Sequence, residues 1–435
     1  MAEFKKIFTC SCGKTHDAMI DEYIVENNAI CRVANYVKKY NGTKAFVLAD
    51  VNTFHVAGEK VCSVLKANEI PFSTYIYANK ALKPNEHAIG SAVMHFDASC
   101  DIIVAVGSGV INDIGKLLAK TAGCPYIIVA TAPSMDGYAS ATSSVDRDGL
   151  KQSLPSTCAN VVIGDIDVLK QAPQSMLVSG LGDMLAKYVS ICEWRLSHLI
   201  TGEYYCEEIA AIVRKALKKC MDHAEGLLSR EESAIKAVFE GLVLGGVAMN
   251  YAGLSRPASG VEHYFSHIWD MRGLAFGEKV DYHGIQCGVA TLLAAKIYEQ
   301  IKIIVPNKEK GLAYVQKFSY KTHCKVLKKF LGEGADTMIA LEQKEKKYDV
   351  DKHKERITRI IDHWDAILAI IEEEIPPAKE IDRILTLLHG PKTVEDLGLD
   401  KDIAIKTFHA TKDIRDKYVA SWLCFDLGII DEIAL

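Results

Sequence analysis

The sequence predicts an α/β domain with a mainly parallel sheet, followed by an all-helical domain. Short apolar runs rich in β-branched residues alternate with helical patterns up to about residue 165, and helical periodicity dominates from there to the end. Strands that alternate with helices indicate βαβ units, which form parallel sheets. We therefore expect an α/β domain over residues 1–166 and an all-α domain over residues 167–435.

The two kinds of segment can be placed along the chain in order. The predicted strands lie in KAFVLADV (44–51), PFSTYIYA (71–78), DIIVAVGSG (101–109), PYIIVATAP (125–133) and NVVIGDIDVL (160–169). The predicted long helices cover residues 180–196, 203–226, 231–252, 284–301 and 355–374. Each strand run is short and bounded by polar or glycine residues, whereas the later segments repeat apolar residues at helical spacing.

Length and charge exclude several classes of protein. The chain has 435 residues, of which 49% are hydrophobic and 25% are charged, as in an ordinary globular protein with a sizeable core. Its net charge of −5 gives no electrostatic reason to expect nucleic acid or an anionic membrane as a partner. Since no apolar run has transmembrane length and MAEFKKIFTC lacks a signal-type apolar region, we expect a cytoplasmic protein without membrane insertion.

The thirteen cysteines are scattered along the chain, and their odd number favours reduced thiols over a disulfide framework. The tightest group is CSCGKTH, where Cys10, Cys12 and His16 have the residue types of a zinc site. No second cysteine pair nearby completes a tetrahedral set. The favoured interpretation is therefore a strand or turn segment with Gly13 at the bend.

The segment GSGVINDIGK (107–116) directly follows a predicted strand. Gly107 and Gly109 allow a tight turn, and the helix that begins near Val110 points its first N–H groups at any bound anion. A pyrophosphate fits such a turn. Asn112 stands where the usual dinucleotide fingerprint has a third glycine, so the motif by itself also fits a turn without a ligand.

Two further strand ends carry polar residues. Asp50 ends AFVLAD, where its carboxylate can either accept hydrogen bonds from an adenosine ribose, favouring NAD over NADP, or cap the next helix. The segment TAPSMDGYASAT (131–142) offers the hydroxyls of Thr131, Ser134 and Ser140 and the carboxylate of Asp136. Ligands of open α/β sheets bind at this edge, although a capped loop without a ligand fits the same residues.

The segment SGVEHYFSHIWD (259–270) predicts a helix that starts at about residue 260, with Ser259 and Glu262 as a capping box. His263 and His267 are four residues apart and share one face of this helix. The pair fits an HExxH-like metal site, a division between one metal ligand and one proton-handling residue, or a solvated helix face.

Asp183 in SGLGDMLAKY and His283 in KVDYHGIQCGVA each lie near a predicted helix start. One carboxylate and two imidazoles can hold a divalent ion while leaving positions open for substrate oxygens. Lys187 and Arg256 are cationic residues near these motifs.

Five segments together resemble one enzyme superfamily. They are GSGVINDIGK, TAPSMDGYAS, GLGDMLAKY, SRPASGVEHYFSHIWDM and DYHGIQCGV, in this order between residues 107 and 289. The set is similar to the superfamily of iron-containing alcohol dehydrogenases, glycerol dehydrogenases and dehydroquinate synthases. TAPSMDGYAS and SRPASGVEH most resemble its sn-glycerol-1-phosphate dehydrogenases, particularly the bacterial branch. The resemblance implies a dehydroquinate-synthase-like fold with an N-terminal dinucleotide-binding domain.

The resemblance also implies roles for individual residues. Asp183, His263 and His283 correspond to the metal ligands, and Asp183 also borders the substrate. His267 and Asp136 correspond to catalytic residues that contact the substrate. The implied dinucleotide contacts, taken with the glycine turn and Asp50, are Asp50, Gly107, Gly109, Val110, Ile111, Asn112, Asp113, Thr131, Ser134 and Ser140. Ser108 departs from the glycine that relatives commonly carry.

These roles imply a metal-dependent oxidoreductase that interconverts dihydroxyacetone phosphate and sn-glycerol 1-phosphate with NAD(H) or NADP(H), a reaction of phospholipid metabolism. The implied metal is nickel or zinc, with iron a weaker fit, and the chain is expected to be a homo-oligomer. The alternatives are a dehydrogenase of glycerol or another small polyol, a dehydroquinate-synthase-like lyase or cyclase, and a metal-binding relative without activity.

Overall fold

The computed structural model describes residues 4–79, 81–147 and 150–435. By compactness the chain divides into two units, Met1–Met184 with Glu208–Ser255, and Leu185–Glu207 with Arg256–Leu435. We call the first the sheet unit and the second the helical unit. The predicted division at residue 166 stays a prediction, since it follows the change from strands to helices, whereas the compact units also group several helices with the sheet.

The described part of the chain contains ten strands in three sheets. The strands are β1 Ile7–Thr9, β2 Thr15–Asp17, β3 Glu22–Glu26, β4 Ala45–Asp50, β5 Phe72–Tyr77, β6 Ile102–Gly107, β7 Tyr126–Ala130, β8 Thr142–Arg147, β9 Leu150–Pro155 and β10 Val161–Asp165. Strands β1 and β2 form one antiparallel hairpin, and β8 and β9 form another.

The six-stranded sheet has the order β3-β10-β7-β6-β4-β5, and all its neighbouring strands are parallel. The five predicted strands are its members β4, β5, β6, β7 and β10. The sequence reading missed β3, because EYIVE is only partly buried and does not form a continuous apolar run. The predicted fold, a mainly parallel α/β sheet followed by helices, is confirmed.

The strand order reverses direction beside β4. This strand pairs with β5 on one side and with β6 on the other, so the connections on either side of it run in opposite directions. Ligands of open α/β sheets bind outside the carboxyl ends of the strands at such a switch point. The two strand ends here are Asp50 and Gly107, the residues that the sequence reading had selected.

The α-helices account for most of the remaining regular structure. They are α1 Val33–Lys39, α2 Val51–Thr53, α3 Glu59–Ala67, α4 Glu86–His95, α5 Gly109–Ala122, α6 Ile166–Leu169, α7 Gln174–Thr201, α8 Glu207–Asp222, α9 Glu232–Ala252, α10 Val261–Phe276, α11 His283–Lys302, α12 Lys308–Lys317, α13 Tyr320–Leu331, α14 Gly334–Glu345, α15 Val350–Asp362, α16 Trp364–Glu374, α17 Ala378–Leu387, α18 Lys401–Thr411 and α19 Ala420–Asp426. Across the described ranges, none of these helices has both the length and the apolarity that crossing a membrane requires.

Four of the five predicted long helices are confirmed as α7, α8, α9 and α11. The fifth prediction, one helix over residues 355–374, is wrong, because α15 ends and α16 begins at His363. The backbone of His363 has φ −117° and ψ 21°, which lies outside the helical region. Periodicity on both sides of this single residue concealed the break.

The core of the sheet unit lies on the sheet. The side chains of Val47, Val104, Ile127 and Val161 on four neighbouring strands are fully buried. Strands β4, β6, β7 and β10 are buried almost along their whole length, as expected when helices cover both faces of a parallel sheet. Burying each aliphatic side chain stabilises the fold by about 1.5–3 kcal/mol, so the sheet forms a rigid base for the loops at its edge.

Two helices approach the segment after β7 at glycines. A Cβ atom on Gly180 of α7 would lie 1.8 Å from the carbonyl oxygen of Pro133. A Cβ atom on Gly246 of α9 would lie 2.8 Å from the carbonyl oxygen of Asp136. Gly180, the first glycine of GLGD, and Gly246 in the glycine-rich run of α9 therefore allow the two helices to pack closely on the backbone of this segment.

We expect Gly180→Ala to lower the free energy of unfolding by about 3 kcal/mol, because the new methyl group overlaps backbone that cannot rotate away. Chemical denaturation of the purified variant measures this loss. Gly90→Ala is the matched control, because nothing lies within 4 Å of a Cβ at this helical glycine. That variant should be as stable as the parent or slightly more stable. Equal stability losses in both variants would contradict the packing explanation.

Candidate functional site

The glycine turn after β6 has the geometry of an anion site. The first hydrogen bond within α5 runs from the amide of Asn112 to the carbonyl of Ser108, at 2.9 Å. The amides of residues 109–111 therefore belong to the helix N-terminus, where backbone N–H groups and the helix dipole favour an anion. Ser108 has φ −104°, a conformation that serine adopts without strain. Its departure from the family's glycine does not disturb the turn.

Gly107 and Ile111 have a packing role in this turn. A Cβ atom on Gly107 would lie 2.5 Å from the side chain of Ile111, which is buried. Glycine is thus required at position 107 by the helix that follows it. The partly exposed backbone of Ser108, Gly109 and Val110 is the portion of the turn that a ligand can reach.

Asp50 caps a helix, one of its two predicted roles. Its Oδ1 atom accepts hydrogen bonds from the amides of Asn52 at 2.8 Å and Thr53 at 3.0 Å. The hydroxyl of Thr53 accepts a bond from the amide of Asp50 at 3.1 Å, which completes a capping box. The cap fixes the carboxylate at the end of β4, and the ribose contact stays a prediction.

The 131–142 loop is held by two buried side chains of α5. Asn112 donates from Nδ2 to the carbonyl of Gly137 at 2.9 Å and accepts from the hydroxyl of Tyr126 at 3.1 Å. Lys116 donates to the carbonyls of Gly137 and Thr142 and to the hydroxyl of Ser140. The Asn112 side chain therefore acts on the loop in this structure. Lys116 was missed from sequence, although it ends the GSGVINDIGK motif one turn after Asn112.

The buried Lys116 also forms an ion pair with Asp113, a predicted dinucleotide contact whose side chain is 16% exposed. Their nitrogen and oxygen atoms are 3.1 Å apart. Burial raises the pKa of the Asp113 carboxyl above its ordinary value, and Lys116 opposes this increase. The spacing of three residues within α5 brings the two side chains onto one face.

The loop's hydroxyl residues are buried and largely engaged within the sheet unit. The amide of Thr131 donates to the carbonyl of Gly107 at 3.1 Å, so the loop starts beside the glycine turn. The carbonyl of Ser134 accepts the hydroxyl of Ser179 at 2.8 Å. The hydroxyl of Ser140 donates to carbonyls of its own loop. These contacts fix the loop, and the nicotinamide contacts of the three residues stay predictions.

Asp136 and Asp183 lie together in the sheet unit. The amide of Asp136 donates to Oδ2 of Asp183 at 2.9 Å. The Asp183 side chain is fully buried, and Asp136 is 9% exposed. The close approach of α7 at Gly180 thus places the carboxylate of Asp183 against the start of the short helical turn Asp136–Ala139. Sequence reasoning had selected both residues without indicating that they touch.

In the helical unit, His263 has its ring fixed by the preceding residue. Its Nδ1 atom lies 2.8 Å from Oε1 of Glu262, which also accepts the amide of Gly260 at 2.7 Å. Because a carboxylate accepts hydrogen bonds, Nδ1 carries the hydrogen and Nε2 is left as the coordinating nitrogen. Glu262 was predicted only as a cap. The N-cap position is Gly260, so the predicted Ser259 capping box is wrong, and only the glutamate half of it forms.

His283 is oriented in the same way by a hydroxyl. Ser266 donates its hydroxyl hydrogen to Oε1 of Gln286 at 2.7 Å, so it accepts from Nδ1 of His283 at 2.9 Å. Nε2 of His283 is again the coordinating nitrogen. The sequence reading missed Ser266 and Gln286, each of which lies three residues from a selected histidine.

A cluster of metal-ligating side chains forms in the helical unit. Ligand atoms of His263, His283 and Cys287 all lie within 4.8 Å of one another. Burial raises the pKa of the Cys287 thiol, but the nearby imidazoles of His263 and His283 lower it by more. The net pKa is below the ordinary value. Cys287 was also missed, although it lies one helical turn after His283. Two imidazoles and a thiol form a donor set that suits zinc or nickel.

His267 is adjacent to this cluster but is not one of its members. Its ring centroid lies 6.5 Å from that of His263 and 5.8 Å from that of His283. The centroids of His263 and His283 are only 5.0 Å apart. His267 is also partly exposed. The closest pairing in this unit is therefore between α10 and α11, which argues against an HExxH-like site made by His263 and His267.

The two cationic candidates are engaged inside the helical unit. Arg256 is buried and bonds Glu203, Ser197 and the carbonyl of Tyr418. Lys187 is fully buried and donates to the carbonyl of Ala258 at 3.2 Å. These contacts argue against Arg256 as a ligand of a substrate anion.

Glu193 of α7 holds the start of α10. Its two oxygens accept the amides of Val261 and Ala420, each at 2.8 Å, and the hydroxyl of Tyr298 at 3.0 Å. Burial and the nearby carboxylate of Glu262 raise the pKa of Glu193 to about 8. Nothing in its sequence surroundings distinguished this glutamate from an ordinary helix residue.

Several known proteins that are similar to this chain belong to one group of enzymes. The family model for iron-containing alcohol dehydrogenases matches residues 24–173. A glycerol-1-phosphate dehydrogenase [NAD(P)+] of Halalkalibacterium halodurans is 30% identical over 94% of this chain and 93% of its own length. The enzyme of that name from Pyrococcus furiosus is 34% identical over 64% of this chain and 78% of its own.

Solved structures show the same fold. The glycerol dehydrogenase of Schizosaccharomyces pombe matches with a TM-score of 0.60 at 18% identity, over 95% of this chain and 89% of its own. A 1,3-propanediol oxidoreductase also matches with a TM-score of 0.60, at 15% identity, over 95% of this chain and 97% of its own.

Lys116→Met should lower the free energy of unfolding by about 2 kcal/mol, because it removes the buried cation that pairs with Asp113 and one of the donors to the carbonyls of Gly137 and Thr142. Urea denaturation followed by circular dichroism measures the change. Lys120→Met is the control on the same helix, since Lys120 is exposed and makes one bond, to the carbonyl of Pro155. If both variants are equally stable, Lys116 does not hold the loop.

Glu193→Gln should destabilise the protein less at about pH 9 than at about pH 6. The native pKa of about 8 is raised above the usual value of 4.5, so native Glu193 keeps a proton that the unfolded chain loses. Its contribution to stability therefore declines as the pH rises from about 4.5 through 8, and a permanently neutral glutamine lacks this decline. Denaturation of both proteins at the two pH values tests this, and a deficit that grows with pH would refute it.

Proposed function

Because the chain belongs to the glycerol-1-phosphate dehydrogenase family, we propose that it interconverts dihydroxyacetone phosphate and sn-glycerol 1-phosphate with NAD(H) or NADP(H) and a divalent metal. The similarity that carries this proposal extends over nearly the whole chain. The pair of oriented imidazoles in the helical unit supports it, because their Nε2 atoms are prepared for coordination.

Asp183, His263 and His283 are the proposed metal ligands. His263 and His283 fit the role by their tautomers and by the short distance between their rings. Asp183 is proposed from its place in GLGDMLAKY, and its fully buried carboxylate is fixed by the amide of Asp136. A nickel or zinc ion suits these donors, with iron a weaker fit. Such an ion polarises a carbonyl oxygen and lowers the pKa of a hydroxyl group.

His267 and Asp136 are proposed to act on the substrate. A partly exposed imidazole beside the ligand pair can pass a proton between a substrate oxygen and solvent. The carboxylate of Asp136 can accept a hydrogen bond from a second substrate hydroxyl and so orient the carbon that exchanges hydride. Its backbone is held for this by Asp183.

The nicotinamide cofactor is proposed to bind along the edge of the sheet at the switch point between β4 and β6. Its pyrophosphate would bind at the amides of Gly109 and Val110, and its adenosine ribose would lie near Asp50. A carboxylate at that position repels a 2′-phosphate, which favours NAD over NADP. Ile111, Asn112 and Asp113 would act mainly through the shape of the turn.

The proposed location is the cytoplasm, which keeps thiols reduced, and none of the thirteen cysteines, all of which lie in the described ranges, forms a disulfide. We also propose that the working form is a homo-oligomer, as the resemblance implies.

The activity is tested with nickel- or zinc-loaded protein. It should oxidise NADH or NADPH when dihydroxyacetone phosphate is added, and chiral analysis should identify sn-glycerol 1-phosphate as the product. Glycerol with NAD should give far slower turnover. Oxidation of glycerol at a comparable rate would favour a polyol dehydrogenase, and release of inorganic phosphate without net oxidation of NADH would favour a lyase.

His263→Ala should remove the bound metal, whereas His267→Ala should keep most of it and lower kcat by about 10²-fold or more, the usual contribution of a positioned acid or base. Metal content is measured by elemental analysis and turnover by NADH absorbance. His223→Ala is the control, since this partly exposed histidine follows α8 in the sheet unit and its ring, in the contacts the structure gives, bonds only the carbonyl of Lys219. Equal metal loss in the His263 and His267 variants would support the HExxH-like site instead.

A further inference from the structure

We propose a second metal site, for zinc, in the N-terminal hairpin of the sheet unit, with Cys10, Cys12 and His16 as ligands. The segment CSCGKTH forms the turn of the β1–β2 hairpin and the start of its second strand. Ligand atoms of the three residues lie within 4.8 Å of one another. The sequence alone favoured a plain turn here, and the structure adds the convergence of the three donors.

The orientation of His16 supports coordination. Its Nδ1 atom lies 2.7 Å from the backbone carbonyl of Tyr251, so Nδ1 carries the hydrogen and Nε2 has the lone pair. That Nε2 atom lies 3.3 Å from Sγ of Cys12. A backbone carbonyl that holds the far nitrogen of an imidazole is the common second contact of metal-bound histidines. The ring is 1% exposed, so this arrangement is fixed within the fold.

The backbone of the turn is arranged around the sulfur of Cys10. The amide of Cys12 points at Sγ of Cys10 at 3.4 Å. Such a bond stabilises a thiolate, the form of cysteine that binds metal. The turn is closed by the amide of Gly13 on the carbonyl of Cys10 at 3.0 Å, and Gly13 has φ +84°, which favours glycine.

The donor types and spacing select zinc. Zinc bonds to sulfur at about 2.3 Å and to nitrogen at about 2.0 Å with tetrahedral angles, which places the two ligand atoms about 3.5 Å apart. The 3.3 Å between Cys12 Sγ and His16 Nε2 is close to this separation. Thiolates do not suit magnesium or calcium, which take oxygen ligands.

The site would be structural. His16 contacts Tyr251 in α9, so a bound ion would fasten the hairpin to that helix. The hairpin also packs on Tyr251 through Phe8, with ring centroids 5.0 Å apart. Zinc at such a position supplies the stability that a three-residue strand pair lacks by itself.

The test separates this ion from the catalytic one. The double variant His263→Ala/His283→Ala lacks two of the proposed catalytic ligands, so zinc that remains after extensive dialysis belongs elsewhere. We expect it to keep about one zinc ion per chain, to lose this ion when Cys12→Ser is added, and to keep it when Cys31→Ser is added. Cys31 is an exposed cysteine of the same unit and is the matched control.

Cobalt substitution gives a second readout on the folded double variant itself. Cobalt(II) at the site should produce thiolate-to-cobalt charge-transfer absorption, which requires no mutation of the hairpin and no enzymatic activity. A double variant without zinc or without these bands overturns the proposal, as does an unchanged zinc content after Cys12→Ser. Because none of these measurements depends on turnover, failure of the proposed reaction leaves the result interpretable.

Discussion

The packing of the sheet unit depends on the 131–142 loop, most of whose residues are buried. A loop that leaves the surface takes carbonyl and amide groups away from water, and each one left without a partner costs about 1–3 kcal/mol. Three helices supply hydrogen-bond donors to this buried backbone. Lys116 of α5, Ser179 of α7 and Asn250 of α9 each bond loop backbone. In the sheet unit, Asn112, Lys116 and Gly180 of the recognised motifs satisfy or accommodate this loop.

The sequence was sufficient for the sheet because its strands are buried on both faces. Continuous apolar runs identified β4, β6, β7 and β10, and the helices between them implied parallel pairing. The edge strand β3 and the two hairpins lack such runs, so local pattern does not distinguish them from loops. The break at His363 was not predicted for a related reason. The apolar residues of α15 and α16 follow one continuous helical spacing, and only the backbone angles of His363 depart from it.

At the candidate site, sequence identified the residue types but could not decide which of them meet. Four-residue spacing placed His263 and His267 on one face of α10, yet the shorter ring distance joins His263 to His283 on α11. That distance depends on how α10 and α11 pack, which no local pattern contains. Asp50 shows the opposite limit, because a carboxylate at a strand end satisfies the geometry of a helix cap and of a ribose contact equally well.

Glu262 connects the start of α10 to the chemistry of His263. One oxygen, Oε1, accepts both the amide of Gly260 and the Nδ1 hydrogen of His263. The first bond satisfies one backbone N–H group at the helix N-terminus. The second fixes the tautomer of His263 that leaves Nε2 for coordination. A second carboxyl, that of Glu193, holds the same helix start through the amide of Val261, and burial together with the nearby carboxylate of Glu262 raises its pKa. The carboxyl group of Glu262 orients the imidazole ring of His263. The start of α10 and the tautomer of His263 are therefore both fixed by the same buried atom, Oε1 of Glu262.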